Sequence, residues 1–316
     1  MNKRDFLTAS GAMLIAPQGF ASDWPNKPVR LVVPYPPGGA LDIQTRLLAR
    51  HLSIGQPVLI ENKTGAGGNI GAQSVATAPA DGYTLLMSGP GIFTINKLVY
   101  REMNYDPETD LIPISIFSRS ANVLVVSAKL PYRTIEDFLA YLRRAKEPTP
   151  VAIQSMGSTA YFGMLALEDA LKVRFNRINY RGSMPALQDV MAGTIPFMIT
   201  ELPSVTPFLK DGRVIALAVT STERWPLNPE LRPLAEVIPG FESSTWFVIA
   251  APRNTPSAVV LKLRAAIDRA LAQPALIELL NGLGAVPVGD SQPERVIKAE
   301  AVRWRRLALS AGIQPE

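Results

Sequence analysis

Hydrophobic positions along the chain follow two alternating rhythms. Short runs of mostly apolar, often β-branched residues are each followed by apolar positions three and four apart. Val29-Arg30-Leu31-Val32-Val33 is the first such run and stops at Pro34. Ile43, Leu47, Leu48 and Leu52 then fall on one face of a helix predicted over 42–52. A second strand is predicted at 58–62, a glycine-rich loop at 65–71 leads into a helix to Ala78, and a third strand covers 83–87. Alternation at this spacing predicts βαβ units around a mainly parallel sheet.

A long extended stretch at 112–127 follows, with Val123-Leu124-Val125-Val126 wholly apolar. Thr134-Ile135-Glu136-Asp137 opens a helix in the manner of a capping box. After Pro148 and Pro150 the pattern resumes. It predicts strands at 151–153, 175–180, 195–200, 214–220 and 247–250, with helices ending at Leu171 and spanning 184–192. The remainder predicts helices at 256–272, 274–283 and 293–311. Two α/β blocks emerge, with residues 22–122 and 251–316 as one lobe and 123–250 as the other. Extended segments near 112–127 and 245–251 cross between them, and the last helices return to the first lobe.

The first 21 residues pattern differently. Lys3 and Arg4 precede a modestly apolar run from Leu7 to Ala16, and Gly19-Phe20-Ala21 is a small-x-small cleavage site. This predicts a signal peptide, export to the periplasm and removal of residues 1–21. Lys3-Arg4-Asp5-Phe6-Leu7 resembles a twin-arginine signal with Lys in the first position. The apolar run is too short to span a bilayer.

Composition narrows the chemistry. Apolar residues make up 47% of 316, enough for a packed core. With no Cys, disulfides, thiolate nucleophiles and Cys-based zinc sites are excluded. The single His, His51, sits inside a predicted helix with no second metal ligand of its kind. No metal and no cofactor is expected. The 32 basic and 27 acidic side chains fall to 30 and 26 once residues 1–21 are removed, a net +4. The basic clusters, such as Arg143-Arg144-Lys146, are short helix faces, which predicts no nucleic-acid partner. Mild positive charge does favour anionic solutes. No G-x-S-x-G elbow, H-E-x-x-H or phosphate-loop sequence occurs. Glycines at 65, 67, 68 and 71 miss the dinucleotide spacing, since Ile70 stands where the third glycine belongs.

Three loop-to-helix junctions remain. The first is Pro34-Tyr35-Pro36-Pro37-Gly38-Gly39-Ala40-Leu41-Asp42, where prolines stiffen the loop and two glycines admit close approach of a ligand to the backbone. The following helix points free N–H groups at the loop, a favourable place for a carboxylate. The loops at 155–159 and 181–183 are two more such junctions, and strand-end loops of an open α/β sheet are where ligands bind. Each alone is equally compatible with ordinary turn chemistry, and Asp42 with an acid stabilising the helix dipole. Tyr35, Tyr161 and Tyr180 either wall a pocket or join the core.

Those residues resemble the Bug family, the extracytoplasmic receptors of tripartite tricarboxylate transporters. The resemblance rests on Trp24-Pro25, on the run from Pro28 through Gly39 with Asp42, and on Glu61-Asn62-Lys63 with the glycines at 65–71. Asp81-Gly82-Tyr83-Thr84-Leu85-Leu86, Tyr180-Arg181-Gly182-Ser183 with Gly193, and Ala251-Pro252 with Thr255-Pro256 complete it. It implies a two-lobed type II periplasmic-binding-protein fold that closes on an organic acid by a hinge motion. It implies no catalysis, a monomer, and permease subunits of such a transporter as partners. The ligand residues it implies are Tyr35, Gly38, Gly39, Asp42, Ser155, Gly157, Ser158 and Thr159. Asn69, Ser88, Gly182 and Ser183 follow more distantly.

The chain also departs from the family pattern. Ser155 stands at an expected Gly and Tyr161 near an expected His. Where an acid is common after Gly193, Thr194-Ile195-Pro196 and Thr200 stand instead, with Glu201 just beyond. An ammonium group wants a carboxylate partner. Without one, the expected ligand is a simple carboxylic or aromatic acid, with Tyr161 as a stacking surface. A sensor presenting the same bound acid to a signalling partner, or an enzyme on this fold, are the rival readings.

Overall fold

A computed structural model describes residues 24–315; the predicted signal segment at 1–21 lies outside them. The first strand β1 (Val29–Val33) runs parallel to β2 (Val58–Asn62) on one side and β3 (Thr84–Ser88) on the other. Helices α1 (Ala40–His51) and α2 (Asn69–Ala76) connect them. A π-helical turn at Gly91–Ile95 and two short helices, α3 (Asn96–Val99) and α4 (Pro107–Asp110), lead to β4 (Leu111–Ser127).

Strand β4 is 17 residues long and joins both halves of the molecule. Residues 111–121 pair antiparallel with β9 (Ser244–Pro252), and part of the same stretch pairs with β10 (Ala285–Asp290). From Asn122 on, β4 pairs instead with β7 (Phe197–Glu201), and from Val123 with β8 (Val214–Val219). Its sequence permits this because nearly every side chain is apolar or small, and only Arg119 is exposed. Strands buried on both faces lose the polar alternation of half-exposed ones.

The second half repeats the βα pattern. Helix α5 (Ile135–Arg144) starts at Thr134, whose hydroxyl accepts from the Asp137 N–H as the sequence predicts. Strand β5 (Thr149–Ile153) lies parallel between β6 (Phe175–Asn179) and β7, linked by α6 (Thr159–Leu171) and α7 (Ser183–Ala192). Strand order is thus β2-β1-β3-β9-β4 in the first half, continuing through β4 into β7-β5-β6. By sequence, residues up to 250 belong to the second lobe. The pairing of β9 places it from Ser244 onward against β3 and the first part of β4.

Helices α9 (Ser257–Leu271) and α10 (Pro274–Gly282) pack on the first sheet, with Leu263, Ile267, Leu276 and Leu280 in its core. The last helix, α11 (Pro293–Ser310), does more than return to the first lobe. Val296 and Ile297 pack beside Trp246 and Val248, whereas Trp304 sits wholly buried in the second lobe, edge-on to Phe162 at 5.5 Å. This corrects the expectation that the C-terminal helices serve one lobe. The exposed surface of α11 carries the Arg305 and Arg306 charges, as a solvated helix face should.

Besides the short helices α3 and α4, two elements are absent from the sequence reading. Helix α8 (Leu202–Lys210) contains Pro203 in its first turn and Pro207 inside it, which masks its helical pattern. Strand β10 holds Pro287 on a short edge, a position that tolerates a missing N–H. His51 is structural, its Nδ1 lying 2.8 Å from Gln273 Oε1 and tying α1 to the start of α10.

Candidate functional site

The N-termini of α1, α6 and α7 converge on one narrow cavity between the two sheets. Helix α1 begins at Gly39 and α7 at Gly182, neither with a side-chain cap. Helix α6 begins at Ser158, whose hydroxyl accepts from the Tyr161 N–H at 3.1 Å. First-turn N–H groups without intrahelical partners favour an anion at such places. The lining includes Tyr35, Gly39, Asp42, Ser155, Gly157, Ser158, Thr159, Gly182 and Ser183 from the predicted set.

Asp42 touches the cavity, but its carboxylate is committed to the loop. It accepts from the Gly38 N–H at 2.9 Å, from Arg46 at 2.9 Å through both Nε and Nη2, and from Asn62 Nδ2 at 2.9 Å. Asn62 also donates to the Tyr35 carbonyl at 3.0 Å. Burial works to raise the Asp42 pKa, yet hydrogen bonds from Arg46, Gly38 and Asn62 outweigh it and hold the group below the usual range. Gly38, with φ +86°, turns the loop, its N–H held by Asp42, and is not part of the lining. Asp42→Asn is expected to cost about 2 kcal/mol of stability, the scale of lost charged hydrogen bonds, and to weaken ligand binding with it. Because the folded pKa is lowered, this contribution is present above the ordinary aspartate range and lost only as pH falls below about 4. Thermal melts of both proteins from neutral pH down to acid check this; equal stability at neutral pH would count against it.

Tyr35 lines the cavity, and desolvation raises its phenol above the usual range, so it serves as a neutral hydrogen-bonding group. Direct contacts join the two halves around it. The Ala40 N–H donates to Ser204 Oγ at 2.8 Å, and Ser204 lies 3.5 Å from Ser183 Oγ. A Cβ added at Gly91 would sit 2.4 Å from the Gly157 carbonyl oxygen, so the backbones are in contact there.

Besides Gly38, three predicted residues stand outside the lining. Tyr161 is buried in the second-lobe core, 6.0 Å from Phe162, with Arg177 5.8 Å from its ring centre. It is not part of the cavity wall and offers no stacking surface to a ligand there. Asn69 is buried behind the site, where its Oδ1 accepts from Asn96 Nδ2 at 2.7 Å and from Tyr105 at 2.9 Å. Asn96 in turn leans on Gly157, so Asn69 acts through packing. Ser88 is fully buried, and the residues just after it, Gly89-Pro90-Gly91, line the cavity in its place. The glycine-rich loop at 65–71 packs against the first junction: a Cβ at Gly71 would meet the Lys63 carbonyl at 2.5 Å and Pro34 at 2.9 Å.

The structure adds Gln154, Glu201, Met184, Thr245 and Phe247 to the lining. Gln154 follows the C-terminal end of β5 and Glu201 is the last residue of β7, so the strand-end rule could have found them. Thr245 and Phe247 lie within β9 and carry no such signal. Glu201 overturns one expectation: a carboxyl does line the cavity, one residue past the position searched.

Among the described residues, no group of three or more His, Cys, Asp or Glu side chains could hold a metal, and no helix is long and apolar enough to cross a membrane. Residues 45–313 match the family model described as "Tripartite tricarboxylate transporter family receptor". BugT of Bordetella pertussis is 32% identical, the match covering 97% of this chain and 95% of BugT. A protein from the tcbD-tcbE intergenic region of Pseudomonas sp. strain P51 is 36% identical, over 90% of this chain and 87% of its own. Among solved structures, the R. palustris protein Rpa4515 with adipate superposes with a TM-score of 0.90 at 38% identity, over 93% of this chain and 100% of its own. The periplasmic binding protein BugD gives 0.88 at 31%, over 93% and 100%. MatC of Rhodopseudomonas palustris, with bound malate, gives 0.85 at 31%, over 90% and 100%. With its two α/β lobes in the periplasmic-binding-protein arrangement, the chain belongs to the tripartite tricarboxylate transporter receptor family, whose members are solute-binding proteins and not enzymes.

Proposed function

We propose that this protein is a periplasmic receptor that captures a small organic carboxylate and presents it to the permease subunits of a tripartite tricarboxylate-type transporter. The observation that carries this reading is the convergence of three helix N-termini on one cavity between the lobes. Their N–H groups hold a carboxylate without any cationic side chain. Tyr35, Ser155, Ser158, Thr159 and Ser183 supply further hydrogen bonds. Relatives solved with adipate and with malate support the same ligand class.

In this reading the export segment at 1–21 is removed and the mature protein acts as a monomer. The lobes divide where β4 changes partners at Asn122 and again near Ser243, and bending there opens and closes the cleft. Gly38 and Asn69 serve the site indirectly, through the loop and through Asn96.

The test is a thermal-shift panel of small mono-, di- and tricarboxylates, adipate and malate included. A ligand at a hundred times its Kd is expected to stabilise the protein by about 2.7 kcal/mol. A panel in which no carboxylate moves the melting temperature would sink the reading.

A further inference from the structure

Among the described residues, Glu201 is a carboxyl group without a partner of opposite charge. It ends β7 and lines the cavity, partly buried. Gln154 Nε2 donates to both of its oxygens, at 2.8 Å each, and the Thr200 hydroxyl turns to Gln154 Oε1 at 2.8 Å, holding the amide in that pose. Two neutral groups thus present Glu201 as an acceptor, with lone pairs left over.

Charge around it is one-sided. Asp42 is the other acid of the lining, and Arg46 already neutralises it. Among the described residues, no Lys, Arg or His lines the cavity, and none forms an ion pair with Glu201. Tyr35, whose phenol feels the Glu201 charge, stays neutral. Desolvation raises the Glu201 pKa, which hydrogen bonds from Gln154 and Thr200 only partly oppose. A cation arriving beside it would restore the ionised form. Buried charges in folded proteins are paired, and here the protein supplies no partner.

We infer that Glu201 pairs with an ammonium group of the ligand, so that the captured solute is an amino carboxylate whose other end sits on the helix N-termini. The inference rests on the carboxylate reading above and narrows it. A second carboxylate placed beside Glu201 could settle there only by leaving one of the two protonated, because no Lys, Arg or His among the described residues lines the cavity to offset a second charge. The simple carboxylic acid expected from the sequence followed from a missing acid; the structure removes that premise.

The test titrates wild type and Glu201→Gln calorimetrically at neutral pH with matched pairs of straight-chain acids that differ only at one end. The pairs are succinate with 4-aminobutyrate, glutarate with 5-aminopentanoate, and adipate with 6-aminohexanoate. Wild type is expected to bind the amino member of the best-fitting pair at least about tenfold more tightly than its dicarboxylate, the scale of one charged hydrogen bond. Glu201→Gln is expected to lose that preference or invert it. The variant should also melt higher than wild type without ligand, because an uncompensated acid has been removed. Wild-type preference for the dicarboxylates overturns the inference by itself, with no variant needed, and leaves the carboxylate reading standing. A variant that melts lower and keeps the wild-type preference marks Glu201 as structural and also overturns it. Failure of all six acids to bind wild type overturns the inference, and the carboxylate reading beneath it then falls only if the wider carboxylate panel fails as well.

Discussion

Gly91→Ala is expected to weaken ligand binding by about ten- to a hundredfold while leaving the ligand-free protein folded and nearly as stable. The added methyl would lie 2.4 Å from the Gly157 carbonyl oxygen and 2.7 Å from the Tyr35 hydroxyl. Gly91 follows β3 and Gly157 follows β5, so the first clash crosses the cleft. Opening the cleft relieves it, and the Tyr35 hydroxyl, a side-chain tip within the same lobe, need only shift, so stability without ligand should fall only slightly. Closing against it costs about 1–3 kcal/mol, the scale of overpacking in a close-packed interior, and each 1.4 kcal/mol is tenfold in affinity. Titration of a carboxylate that stabilises wild type measures the loss, and small-angle scattering should show the variant open when the ligand is present. Wild-type affinity would mean that the arrangement with Gly91 against Gly157 is not the one that holds ligand. Gly39 is a milder probe, since its added methyl would meet only the tip of the Ser183 side chain, at 3.1 Å.

Trp304→Ala should be the costliest single change to stability outside the cleft, about 3–5 kcal/mol. The ring is wholly buried in the second-lobe core, with Phe162 edge-on and the Arg303 guanidinium 4.3 Å from its centre. Arg303 itself pairs with Glu242 at 2.9 Å and Glu300 at 3.1 Å, and it donates to the Glu242 carbonyl at 2.9 Å. Losing the ring empties a cavity in the second lobe and releases the end of α11 from it. Chemical denaturation reads the loss directly. A cost below about 1 kcal/mol would mean that the second-lobe core closes without α11.

Much of this was visible in the order of residues. The strands of both sheets and most long helices follow from runs such as Val29–Val33 and from apolar spacing such as Ile43, Leu47 and Leu48. The loops at 34–42, 155–159 and 181–183 come together because each follows the C-terminal end of a parallel strand, and the sheet aligns those ends. What stayed hidden depended on direction or distance. Nothing in the sequence says that Tyr161 turns inward, since a tyrosine three residues into a helix can face either way. Glu201 is adjacent to the position searched but on the opposite side of an extended strand, where neighbours alternate. Proline hid α8, because Pro203 and Pro207 break the pattern by which helices are recognised. The reach of Trp304 into the second lobe comes from tertiary packing alone.

The position of β9 between β3 and β4 sets an order for folding. Residues 122–243 carry every strand of the second sheet apart from the shared β4, so that sheet can assemble as soon as this stretch exists. The first sheet cannot. Its β3 and β4 are neighbours only through β9, which arrives more than a hundred residues after β4 ends. Contacts so distant in sequence are slow to form, because a long loop must close before they are rewarded. Until then β3 exposes a pairing edge beside an unfinished core. The sheet of the N-terminal lobe, though first in the chain, is the later of the two to be completed, and the window before β9 docks is when this protein is most open to misassembly.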